Sequence, residues 1–434
     1  MTQQKQGNLL AIIVCVFLFG MIAFMTNLTA PLGGVLTEQF GVVEWMGTLG
    51  VFANFIAYAV MGYPGGVILD RFGYKKTALI AVGVGFIGIA IQVISGFAGS
   101  FGIYLLGAFV AGFSMCMLNI VVNPMLTKIG GGGKKSNQLV QLGGSMNSLF
   151  GTAVIVITGI LIPAITEAQI SDVLPLLYVA LAIFGFAFIV LAFSSLPEDE
   201  KTEAIEEQTA HSPLSFRHFI LGTFAIFSYV GLEVGSMTFI SRWLSNAEVG
   251  LVALTNISPE AATSVANSVA GTFVLCMLIG RMAGIGLAAA ISPRLMLGII
   301  ASGSGILTIA AILAPTSIMV NMPVFGAETG LFGLAHVPIS ALFLVLVGLF
   351  ASMMWGSIFT LAVAGLGKYT KKASGIFMIM VCGGGIMPLM MGGVIDIAGG
   401  QNFLIGFWVP VIGCIYMLWY AMVGYKNVNT DIPV

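Results

Sequence analysis

Asn119 and Asn123 stand four residues apart in an otherwise apolar run that also holds Pro124. In a helix that spacing puts both amides on one face, and Pro124 leaves a backbone carbonyl beside them without its usual donor. Other polar side chains interrupt apolar runs in the same manner: Asn27 and Thr29; Gln138, Gln141, Ser145 and Asn147; Tyr229, Glu233 and Ser236; Trp355 and Thr360. Polar groups surrounded by hydrocarbon are costly and mark pathways or binding sites. An amide both donates and accepts, as a hydroxyl does, so this set suits a neutral polyol. Aromatic faces suit the apolar side of a sugar ring. The competing use of such amides is to bond helices to one another.

Glu233 is the carboxylate set deepest in an apolar run and is the candidate coupling group for a cation. It stands about 15 residues, ~22 Å, along its helix from the lysine-rich side. Arg281 lies about 18 residues from the opposite end of the next helix, at a rise of ~1.5 Å per residue. The two depths differ, so no direct pair is expected, and Arg281 is assigned to the inner gate. The other gating candidates, Gly66, Asp70, Arg71, Gly73 and Lys75, form a short charged turn between two apolar runs.

The chain that must hold these groups is 58% hydrophobic and 8% charged, with a mean hydropathy of +1.06. A soluble domain carries about 25% charged residues, so this is an all-α integral membrane protein. Runs of about 20 apolar residues begin near Leu9, Trp45, Thr77, Ser100, Leu139 and Val173, then near His218, Thr263, Leu295, Ile339, Ser374 and Asn402. Twelve spanning helices place both termini on one side. With that side cytoplasmic, fourteen of the sixteen Lys and Arg residues fall inside, leaving Arg242 and Arg281; cytoplasmic retention of Lys and Arg then sets the topology. The opposite loops carry mostly acids, among them Glu38, Glu44, Glu167, Asp172 and Glu328.

Residues 1–196 and 218–434 read as two six-helix halves joined by an acidic cytoplasmic linker at 197–217. An offset of 219 residues lays Gly65 on Gly284 and Lys75 on Arg294, whereas Asp70 and Arg71 fall on Ala289 and Ala290. A latch built on Asp70 is therefore expected on one side alone. Gly83-Val84-Gly85-Phe86-Ile87-Gly88 fits a dinucleotide-binding pattern, but it lies inside a span and not in a βαβ unit. Helix packing by small residues explains it better. A net charge of -1 suggests no nucleic-acid partner. The five cysteines lie in apolar runs and read as core residues, not as a disulfide set or metal site. No cofactor, no metal and no enzyme activity are expected.

Gly66-x-x-x-Asp70-Arg71-x-Gly73-x-Lys75-Lys76 resembles the loop between helices 2 and 3 of the major facilitator superfamily. Asn119-Ile120-Val121-Val122-Asn123-Pro124 resembles the Asn-Pro segment of its fucose–galactose–glucose:proton symporter family. Tyr229-Val230-Gly231-Leu232-Glu233 and Gly365 through Gly375 are similar to the glucose/galactose branch of that family. The resemblance implies a monomeric secondary transporter in a bacterial cytoplasmic membrane. It would carry a neutral monosaccharide such as a hexose by alternating access, coupled to H+ or Na+. The family's two coupling acids align with Ala30 and Asn119, so both are absent here. An uncoupled sugar facilitator and a multidrug exporter of the same fold are the alternatives.

Overall fold

The computed structural model describes residues 2–40, 49–161, 170–194, 196, 211–326, 331–429 and 431–432. Most of the expected linker lies outside the described residues, as do the side chains of Thr29, Ala30, Glu38, Glu44, Glu167 and Asp172. In lipid a chain must satisfy its own backbone groups, so the apolar runs become helices. The first half holds α1 (Thr2–Phe40), α2 and α3 (residues 49–72 and 74–98), α4 (Phe101–Gly130), α5 (Gly133–Leu161) and α6 (Ile170–Phe193). The second holds α7 (Arg217–Ser245), α8 (Pro259–Ala290), α9 (Pro293–Leu313), α10 (Ile339–Ala362), α11 (Gly367–Ile397) and α12 (Phe403–Gly424).

Gly73 separates α2 from α3 with φ 77° and ψ -179°. A side chain is strained at that positive φ, so the gating turn needs glycine there. Ser258-Pro259 and Ser292-Pro293 open α8 and α9: each serine hydroxyl accepts the backbone N–H three residues on, at 3.2 and 3.3 Å. Proline at the first helical position loses nothing, because that N–H has no helical partner. Gly85 packs against Phe184 and Gly88 against Ala111. The glycine pattern on α3 is thus a close-packing surface within the bundle.

One element was not expected. Between α9 and α10 the chain forms a hairpin, β1 (Met319–Gly326) and β2 (Leu331–Pro338), antiparallel from Met319↔Pro338 to Gly326↔Leu331. Phe325 donates its backbone N–H to Thr272 Oγ1 of α8 at 2.8 Å, which ties the hairpin to the second half.

The halves close on each other at the lysine-rich end. Gly62 and Gly66 of α2 meet Gly375 of α11 so tightly that a Cβ on Gly66 would lie 3.1 Å from the Gly375 Cα. Pro124 cannot donate to the Ile120 carbonyl, and Ser374 of α11 donates to it instead at 3.2 Å. The Asn-Pro segment therefore contributes a bond between halves. At the surface, Lys372 Nζ lies 3.3 Å from Asp70 Oδ2, and Lys371 Nζ stands 5.4 Å over the Tyr74 ring. Lys134 at the start of α5 donates to the Ala290 carbonyl, at the end of α8, at 2.7 Å. The Asp70 contact thus has a counterpart in the other repeat: where the repeat lost its acid, the carbonyl end of α8 receives the lysine.

Candidate functional site

Where the halves meet at mid-depth they enclose a cavity of about 260 Å³. Its wall includes Asn27 of α1, Asn119 of α4, Gln141 and Asn147 of α5, Tyr229 and Glu233 of α7, Arg281 of α8 and Trp355 of α10. All eight are candidates on sequence grounds, Arg281 as a gate residue. Asn123 sits behind the wall. It accepts the Trp355 indole N–H at 2.9 Å and donates to the Asn119 carbonyl at 2.8 Å, so it orients a wall residue from α10 across the two halves. Gln138 is the exception: it lies nearly one turn closer to the lysine-rich end than Gln141 and is absent from the cavity wall.

Arg281 also departs from expectation. It lies on the cavity wall, and its Nη2 is 3.6 Å from Glu233 Oε1. The difference in depth was counted between backbone positions, and side chains close it. Every Cα–Cβ bond in a helix tilts toward the helix N-terminus. Helices α7 and α8 run in opposite directions, so Glu233 and Arg281 lean toward each other.

The guanidinium has five N–H donors; four are hydrogen-bonded within the protein, and the fifth faces Glu233. Nε donates to the Ser352 carbonyl at 3.1 Å. Nη1 donates to the Gly144 carbonyl and to Asn147 Oδ1, both at 3.1 Å. Nη2 donates to the Tyr229 hydroxyl at 3.2 Å and faces Glu233. The Tyr229 hydroxyl also meets the Glu233 carboxylate. Arg281 therefore joins α5 of the first half to α7 and α10 of the second.

Ser352 can accept because α10 is broken between Ala351 and Met354. The break frees the carbonyl of Ser352, while Met353 caps the segment that follows and its carbonyl also accepts the Ser357 hydroxyl at 3.3 Å. Arg281 takes the first, and Gln141 Nε2 takes the second at 2.7 Å. Side chains inserted into a helical ladder are one recognised cause of such breaks. Gly284 leaves room for this contact, since a Cβ there would lie only 2.8 Å from Met353 Cγ.

Two wall residues on α2 escaped the sequence analysis. Tyr58 accepts an N–H from Asn119 at 2.8 Å, and Asn54 lines the cavity one turn away. Their spacing of four, inside an apolar run, was the available signal. Of the gating candidates, Gly66 and Asp70 contact α11 as described, Lys75 donates to the Ala192 carbonyl of α6 at 2.9 Å, and Arg71 is exposed. Hydrogen bonds and an ion pair between the halves lie at cavity level and toward the lysine-rich end.

Residues 12–388 match the family model described as Major Facilitator Superfamily. A glucose/galactose transporter of Brucella abortus biovar 1 (strain 9-941) is 28% identical over 434 residues, covering 98% of this chain and 97% of the relative. The L-fucose-proton symporter of Escherichia coli (strain K12) is 24% identical over 424 residues, covering 91% of this chain and 89% of the relative. The crystal structure of the transporter FucP in the outward conformation superposes with a TM-score of 0.80 at 19% identity, over 97% of this chain and 100% of that one. The family match runs through both repeats and across the cavity between them, and on that ground the chain belongs to the major facilitator superfamily and is a multi-pass membrane transporter, not an enzyme.

Proposed function

We propose that this protein takes up a neutral monosaccharide, a hexose of the glucose/galactose type, by cation-coupled alternating access. One observation carries the proposal: a cavity about the size of a single small ligand is walled by amides and aromatic rings from both halves. Amides match hydroxyls, and Trp355 and Tyr229, with ring centroids 6.3 Å apart at 71°, offer faces to the apolar side of a sugar ring. Relatives named as sugar transporters support the same substrate class. The lysine-rich end is taken as cytoplasmic, so its contacts close the inner gate, and a monomer suffices because the cavity is complete within one chain.

Glu233 is the proposed coupling group, since Asn119 stands where the fucose-type members resembled by this chain carry an acid. The test is uptake of labelled glucose and galactose into proteoliposomes under separate pH and sodium gradients. Accumulation driven by one gradient and lost in Glu233→Gln supports the proposal. Accumulation that survives the substitution removes Glu233 as the coupling group, and equilibration without accumulation in the unmodified protein identifies an uncoupled facilitator. Stabilisation by lipophilic cations and by no sugar would point to an exporter.

A further inference from the structure

The cavity wall is asymmetric in what it offers a ligand. Asn27 Nδ2 donates to the Ala23 carbonyl at 2.9 Å, Gln141 Nε2 to the Met353 carbonyl at 2.7 Å and Asn147 Nδ2 to the Phe19 carbonyl at 3.2 Å. Asn119 Nδ2 spends both protons, on Tyr58 and on the Met115 carbonyl. A carbonyl can only accept, so each of these partners fixes which end of the amide is nitrogen. The amides thus turn N–H groups inward to the protein, and Asn27 Oδ1 and Gln141 Oε1 have no partner among the described residues.

The charged pair repeats this bias. Arg281 has a side chain 9% exposed; four of its five donors are hydrogen-bonded to protein, and the remaining one faces Glu233 at 3.6 Å. Glu233 is 28% exposed, and among the described residues its carboxylate meets Arg281 and Tyr229. The positive charge is enclosed by protein, and the negative charge faces the cavity.

We propose that the Glu233–Arg281 pair is a one-sided charge filter. The cavity accepts sugars that present donors, whether hydroxyl or ammonium, and rejects sugar acids. A carboxylate on the ligand would face the Glu233 oxygens, and the one guanidinium N–H without a hydrogen bond already faces Glu233. An ammonium in the same place would pair with Glu233 and with the amide oxygens. Arg281 acts here as a positioning residue, holding Glu233, Tyr229 and Asn147 in place. Resting on the sugar reading above, the filter extends it to protonated amino sugars and gives the pair a specificity role apart from ion coupling.

Three ligands of one shape and different charge test it: glucose, glucosamine and glucuronate, as stabilisers of the purified full-length protein and as competitors of galactose uptake. Glucosamine should compete within about tenfold of glucose, and glucuronate should be weaker by about a hundredfold or more, because like charges brought together repel. In Glu233→Gln the preference for ammonium over carboxylate should shrink at least tenfold. The double variant Glu233→Gln/Arg281→Met, which leaves no unpaired charge, should abolish it. A role confined to folding would weaken all three ligands alike and overturns the filter, as does glucuronate competing on a par with glucose. If glucose and galactose fail to bind while glucosamine still exceeds glucuronate, the sugar-uptake reading falls and the filter stands. Failure of all three ligands overturns both.

Discussion

Arg281 holds acceptors from three helices, so its removal should disturb more than a charge. Arg281→Met leaves the Glu233 carboxylate partly buried without its counter-charge. Breaking a buried pair on one side costs about 3–5 kcal/mol, and the 28% exposure of Glu233 puts this case at the lower end. The expected result is a lowered midpoint of thermal unfolding in detergent, recovered in part by Glu233→Gln in the same chain. Additive losses in the double variant would show that the two side chains do not interact. Trp355→Phe tests a second contact. The ring stays, but Asn123 Oδ1 loses its donor, at a cost of about 1–3 kcal/mol for a buried acceptor left unsatisfied. Sugar binding should weaken in this variant, read as a raised KM for uptake, and more severely in Trp355→Ala. At this scale the sequence was informative because a polar side chain in an apolar run is costly and therefore conspicuous. It could not show Arg281 reaching Glu233, which depends on the opposed directions of α7 and α8.

Between elements, the inner gate rests on glycine contacts reinforced by weak surface pairs. Gly375→Ala would press its Cβ against the Gly62 carbonyl and the Gly66 backbone, where nothing flexible can yield. It should hold α2 and α11 apart and leave the lysine-rich end open. A cysteine at position 372 in a cysteine-free background should then react faster with a membrane-impermeant thiol reagent from that side. Unchanged reactivity would mean that the glycine contact does not set the gate. Asp70 and Lys372 are exposed side chains, and such pairs contribute at most about 1 kcal/mol. Asp70→Asn should therefore shift the gate or slow transport by no more than about fivefold and leave the order of preferred sugars intact. Lys134→Met should act similarly from the other half, since Lys134 holds the Ala290 carbonyl. A lone Asp70 effect with a silent Lys134 would restore the one-sided latch. This second latch was illegible in the sequence because its acceptor is a backbone carbonyl, which no residue type announces. The hairpin was hidden for a related reason. Its strands, Met319–Gly326 and Leu331–Pro338, carry Pro323 and lack an Asn-Gly turn, so they read as a loop.

For the whole molecule, twelve apolar runs became twelve helices because lipid leaves the backbone few other ways to satisfy its hydrogen bonds. α2 and α3 run on through Gly73 with little loop between them. α5, with its amides, is less apolar than the others, which is what a helix facing a polar cavity requires. The direction in which this bundle crosses the membrane follows from charge alone. Lys75, Lys134, Lys371, Lys372 and Arg294 lie at the end opposite to the β1–β2 hairpin, and positively charged loops stay in the cytoplasm. Both termini should then be cytoplasmic, and the hairpin should face the other compartment. A fluorescent protein that folds only in the cytoplasm, fused after Val434, should be bright. A phosphatase active only outside the cytoplasm, inserted after Gly326, should be active, and the same phosphatase inserted after Gly131 should be silent. The reverse pattern would turn the bundle over and make its lysine-bearing latches outer-gate contacts, so that the closed end of the cavity would face the exterior.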